Sequence, residues 1–186
     1  MVFAEVGYEA ATMEGIAARA ETSIGSLYQF FPNKQAVFSA IAAATLQRSR
    51  AAFEQLLEGP WDVDWREALG LMLDGLTALR EADPAFRAIL VNFHLYGMYA
   101  EADLALHRYF VGRVAANMAV EAPGLPAARR KVLATMVVHV VSAMLFLSNR
   151  EEPAMGRKMI EETKQMLIAY LEPHVAEGRR AAKADA

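Results

Sequence analysis

The chain has no cysteine among its 186 residues, which excludes disulfides, thiol nucleophiles and cysteine-ligated zinc. Glycine (11) and proline (7) are few, so long stretches run uninterrupted, and alternating strand patterns are absent. Charge of neither sign dominates. Nineteen Lys and Arg face 22 Asp and Glu, and a net charge of −3 excludes an overall polyelectrolyte. The first residues, Met1 to Val6, lack a basic start and a long apolar core, so they do not read as a signal peptide. The most apolar run, Val132 to Leu147, is short for a membrane span of about 20 residues and contains His139. It reads as a buried helix, and the chain as a soluble, cytoplasmic protein with no membrane partner.

What is present is apolar residue content of 55%, enough for a folded core, with much alanine to favour helices. Breakers at Gly7, Pro32, Gly59-Pro60, Pro84, Gly97, Pro123 to Pro126, Pro153 and Pro173 separate the stretches between them. Thr12 is a good cap for a helix from Met13 to Ala20, and Ile24 to Phe30 is a short second one. Asn33 caps a long helix from about Lys34 to Leu57, and Asp64 one from Trp65 to Ala82. On the latter, Leu69, Met72, Leu73 and Leu76 share an apolar face. Pro84 opens a helix to about Tyr96. Three more follow: Ala100 to Val120, Pro126 to about Ser148, and Pro153 to about His174. The fold class is all-α. Residues 179–186 read as a disordered tail.

Two short helices joined by Glu21-Thr22-Ser23 describe a helix-turn-helix. Ile16, Ala17 and Ala20 form the inner face of the first. Ile24 and Leu27, with Phe31, offer apolar anchors for the second. That second helix then exposes Ser26, Tyr28 and Gln29, with Lys34 just beyond. Hydroxyls and amides reach phosphates or base edges and a cation meets phosphate, so the set suits double-stranded DNA. A helical hairpin with no DNA role has the same two helices.

The stretch Gly7-Tyr8-Glu9-Ala10-Ala11-Thr12, then Ile16-Ala17-Ala18-Arg19-Ala20, then Gly25 through Lys34 resembles the TetR family of bacterial transcriptional regulators. The match covers about the first fifth of the chain. It implies a DNA-binding domain over 1–34 and a larger helical effector-binding and dimerisation domain over 35–178. By matching positions it implies that Thr12 caps the supporting helix and contacts phosphate. Ser26 and Tyr28 meet phosphate or base, Gln29 reads a base edge, and Lys34 anchors phosphate. It further implies a homodimer that reads a palindromic site and is released by a small molecule.

Three departures stand out. Glu21 occupies the turn position where the family usually has glycine, which strains the backbone if φ is positive there. Glu14 and Ile24 stand where polar or basic residues are common. The family's first helix is nearly missing, with Val2 to Glu5 as its last turn and Gly7 as its end. Phe3 is then placed to pack on Ile16 or Leu27, and either the natural chain starts upstream of Met1 or the protein has lost part of its DNA-binding domain. Over residues 1–50, Arg19, Lys34, Arg48 and Arg50 are balanced by Glu5, Glu9, Glu14 and Glu21, so a single reading head is neutral and a dimer is needed.

In the larger half, aromatic and polar residues mix at Phe93 to Tyr99 and at His107 to Phe110, the lining expected of a largely apolar effector pocket. Leu76, Phe93, Tyr96, Phe110 and His139 are the candidate ligand-binding residues. His139 lies in an apolar run and, if buried, needs a hydrogen bond. It is a point in the pocket, a point at the dimer seam, or a satisfied core histidine. Asp103 and His107, four apart on one helix, form either a metal pair or a hydrogen-bonded pair. Met159, Ile160, Thr163, Met166, Leu167, Tyr170 and Leu171, with Val140 and Met144 nearby, form a wide apolar stripe. It is covered by the core or by a second chain, through the last two long helices. No motif for a nucleophile, a phosphate loop or a metal pair supports an enzyme, and no cofactor is expected. The alternative function is a helical ligand-binding or dimerisation module that has lost DNA binding.

Overall fold

Eight helices are found among the described residues, which are 2–57, 63–83, 85–86, 89, 97 and 100–184 of this computed structural model. They are α1 (Val2–Ala10), α2 (Met13–Arg19), α3 (Ile24–Phe30), α4 (Lys34–Leu57), α5 (Trp65–Ala82), α6 (Ala100–Glu121), α7 (Ala127–Ser148) and α8 (Pro153–Ala184). No strand occurs among these residues. The helix expected from Pro84 to Tyr96 lies largely outside them. The chain divides into two compact units, Met1–Glu58 with Leu76–Leu104, and Gly59–Gly75 with Ala105–Ala186.

In the first unit, α1 is broken at Gly7, whose φ of 77° and ψ of 172° are not helical. The break lets Phe3 and Tyr8 turn inward together. Their rings stack 5.8 Å apart, and both meet Phe38 of α4 edge-on, at 5.3 and 5.5 Å. Phe38 is thus the α4 ring that packs on Phe3. Burial, helped by the charge of Glu9, pushes the Tyr8 phenol above its ordinary pKa.

In the second unit, α7 buries Leu133, Ala134, Val137, Val138, Val141, Leu145 and Ser148, and packs against α8. Facing them, α8 buries Gly156, Ile160, Thr163, Leu167, Leu171, Val175 and Gly178. By length and hydropathy alone α7 could cross a membrane; here one side of it is packed against a partner helix. Helix α8 does not end near His174. It continues through Pro173 to Ala184, so residues 179–184 are helical rather than a disordered tail. Proline removes one helical hydrogen bond, but Leu171, Val175 and Gly178 keep the same face buried on both sides of it. Gly178 sits at a close approach to the 122–125 loop. A Cβ there would lie 2.7 Å from the Cβ of Ala122, and its carbonyl accepts the Gly124 N–H at 3.1 Å.

Two charged pairs tie α5 to α8, and one of them is braced by Asp64 ahead of α5. Arg66 binds Asp64 at 2.8 Å and clasps Glu172 with two guanidinium nitrogens, while Lys164 donates to Asp74 at 2.6 Å. Burial works against the charge on Lys164, but its bonds to Asp74 and Glu161 outweigh that and raise its pKa.

Candidate nucleic-acid interface

Thr12 starts the motif. Its extended backbone precedes α2, and its Oγ1 accepts the Gly15 N–H at 3.1 Å, so it caps the helix as expected. Met13, Ile16 and Ala17 then face inward. The helix closes with Glu21 N–H donating to Ala18 and Thr22 N–H to Ala17, at 3.2 and 3.0 Å. This doubled closure needs a left-handed residue between its donors. Glu21 supplies it, with φ of 52°, the one positive φ among the described non-glycine residues.

Ser23 opens α3. Its Oγ accepts the Ser26 N–H at 3.0 Å and donates to Ser26 Oγ at 2.8 Å. Ser23 was not singled out from the sequence, although a serine just ahead of Ile24 is the ordinary signal of a cap. Leu27 is the buried residue of α3. Residues four apart share a side, so the exposed surface falls into three pairs. Gly25 and Gln29 lie on its middle, Ile24 and Tyr28 on one flank, and Ser26 and Phe30 on the other. Ile24, expected as an anchor, is 38% exposed, on the flank it shares with Tyr28. Phe31 is half-buried as Leu27's neighbour one turn on. Phe30, which the sequence reading passed over, stands 77% exposed.

Thr12, Tyr28 and Gln29 are exposed and Ser26 is half-buried, so the outward surface of α3 carries an amide and two hydroxyls. Lys34 is placed differently from the phosphate anchor expected of it. Its ammonium donates to the carbonyls of Tyr8, Glu9 and Ala11 at 2.9, 3.0 and 3.1 Å, and lies 4.6 Å from the centre of the Tyr8 ring. It caps the carboxyl end of α1 from the first turn of α4. Arg19 is paired with Glu5 at 3.1 Å. Asn33 caps α4, accepting the Ala36 N–H at 2.9 Å.

The expected effector residues are dispersed between the two units. Leu76 belongs to the first and is half-buried on α5. Phe110 belongs to the second and is half-buried on α6. Phe93 and Tyr96 lie outside the described residues. His139 is exposed, not buried in the apolar run that contains it. It sits on the side of α7 turned away from Val137, Val141 and Leu145, and its Nδ1 bonds the Thr135 carbonyl at 2.8 Å. Its ring lies 5.3 Å from that of His107, whose Nε2 is 3.1 Å from Ser142 Oγ. No group of three metal-ligating side chains occurs among the described residues.

Comparisons with known proteins agree with this layout. Residues 1–41 match the family model described as bacterial regulatory proteins, tetR family. Residues 64–171 match that described as tetracyclin repressor-like, C-terminal domain. The HTH-type transcriptional regulator UidR of Escherichia coli K12 is 30% identical over 97 residues, 52% of this chain and 46% of that protein. The HTH-type transcriptional repressor KstR of Rhodococcus jostii is 27% identical over 108 residues, 58% and 48% of the respective chains. The chain spans about half the length of the curated relatives it matches. A TetR-family transcriptional regulator from Streptomyces coelicolor has a similar crystal structure, with a TM-score of 0.61 and 29% identity over 92% of both chains.

Proposed function

The chain belongs to the tetR family of bacterial regulatory proteins, and from that premise we propose that it is a ligand-responsive transcriptional repressor, active in the cytoplasm without catalysing a reaction. In this reading a homodimer sets two copies of α3 into successive major grooves of a palindromic operator. A small, largely apolar effector binds the larger half and releases the DNA. The effector must bind the released conformation more tightly, because equal affinity for both would shift nothing. The observation that carries the reading is the outward surface of α3, where Ser26, Tyr28 and Gln29 stand on a short helix held by Ser23 and by the turn at Glu21. Thr12 would meet phosphate through its hydroxyl proton. Lys34 would act by holding α1, with phosphate contact following only if it leaves its three carbonyls. Among the candidate effector residues, His139 has the support of its ring contact with His107 beside Ser142.

The alternative of a module without DNA activity draws on one observation. Both cations within residues 1–34 are already engaged, Arg19 with Glu5 and Lys34 with carbonyls. One experiment separates the two. Selection of duplexes from a randomised library, followed by anisotropy titration at several salt concentrations, should yield a palindromic site bound by two copies. No DNA binding at low salt would leave the module reading standing and remove the repressor one.

A further inference from the structure

Between Ile24 and Phe30, helix α3 contains no Lys or Arg. Guanine is most often read by such a cation, bidentate to O6 and N7. The nearest cations in the motif, Arg19 and Lys34, lie outside α3 and are held by Glu5 and by three carbonyls. What α3 presents instead is an amide, two hydroxyls and exposed apolar surface. The Gln29 side chain matches adenine, its Nε2 donating to N7 and its Oε1 accepting from the N6 amine. Phe30 and Ile24 are 77% and 38% exposed, apolar area that the chain itself leaves uncovered. The apolar group that the major groove displays is the C5 methyl of thymine.

Gly25, on the middle of the outward surface beside Gln29, supports a close approach. A Cβ there would meet nothing nearer than Ser23 Oγ at 3.9 Å, and its φ is not positive. Neither packing nor conformation within the chain calls for glycine, which weakens a helix relative to alanine. Its lack of a side chain lets the α3 backbone come near base edges, and that brings the flanking side chains within reach.

Resting on the operator-binding reading above, we propose that α3 reads A·T pairs. Gln29 pairs with an adenine, and Phe30 and Ile24 pack on thymine methyl groups, so each half-site has A·T pairs where α3 enters the groove. The test uses the full chain. A site selected from the randomised library is remade with deoxyuridine replacing each thymine in turn, which removes the methyl and nothing else. The expected result is A·T at the α3 positions of both half-sites. At least one replacement per half-site should weaken binding about fourfold, the loss of one buried methyl. That sensitivity should disappear in Phe30→Ala or in Ile24→Ala, whose side chains are exposed and whose circular dichroism should match the parent. G·C pairs at those positions, or affinity unchanged at every deoxyuridine, would overturn the proposal while leaving the repressor reading intact. No DNA binding at all would overturn both.

Discussion

Glu21 holds a backbone conformation that an L residue with a Cβ resists, in a turn whose two closing hydrogen bonds depend on it. Its side chain is exposed, so nothing in packing repays that cost. Glu21→Gly should therefore stabilise the motif by about 1 kcal/mol, the relief of strain less the added freedom of the unfolded chain. Amide exchange of the α2 and α3 backbone should slow accordingly; unchanged exchange would mean the turn is not strained. The expectation of strain came from the sequence, but only through the family pattern that puts glycine there. By contrast, no pattern in the sequence told that Lys34 would reach back to α1. Its partners are main-chain carbonyls 23 to 26 residues away, and every residue type has a carbonyl.

At the scale of elements, the caps were the readable part. Thr12, Asn33 and Asp64 each accept a backbone N–H at the helix start they were assigned. A cap is a local bond between neighbours, so the sequence contains both partners. Asp64 also makes a prediction about pH. The Arg66 N–H and guanidinium lower its carboxyl pKa below the ordinary value of about 4. A folded pKa below the unfolded one gives stability that is present above pH 4 and lost as pH falls through the folded value. Melting temperatures between pH 5 and pH 2 should drop less steeply in Asp64→Asn, which keeps an acceptor but cannot titrate. What was less readable was set by neighbours distant in sequence. Helix α8 outruns Pro173 because its face stays buried, and His139 turns outward because α7 turns another face to α8. Gly178 records the same kind of contact. Gly178→Val, forced against Ala122, should cost roughly 1–3 kcal/mol in urea denaturation, as overpacked sites do. A smaller loss would show that the 122–125 loop can move away.

For the whole molecule, the α7–α8 surface bears on assembly. The apolar stripe expected between two chains is partly used within one: Ile160, Thr163, Leu167 and Leu171 are all buried. The exposed stripe is Val132, Met136, His139, Ala143 and Leu147 on α7, with Met166 on α8. If this surface forms the homodimer, Met136→Glu should give folded monomers by sedimentation. Leu167→Glu should unfold the chain instead, because it places an unpaired charge in a core. A parent chain that is monomeric at micromolar concentration would refute the seam. The Lys34 clasp has a consequence for how the molecule folds. It joins positions far apart in the chain, and the Lys34 ammonium reaches the three carbonyls only after α2 and α3 have turned the chain back upon α1. Such long loops close late, so the clasp should be absent from the folding transition state. In stopped-flow measurements Lys34→Ala should leave the refolding rate almost unchanged. It should speed unfolding by about tenfold or more, the effect of losing a charge-assisted hydrogen bond. The residue that holds the head to α4 would then govern how long the native state lasts, and not how quickly it is reached.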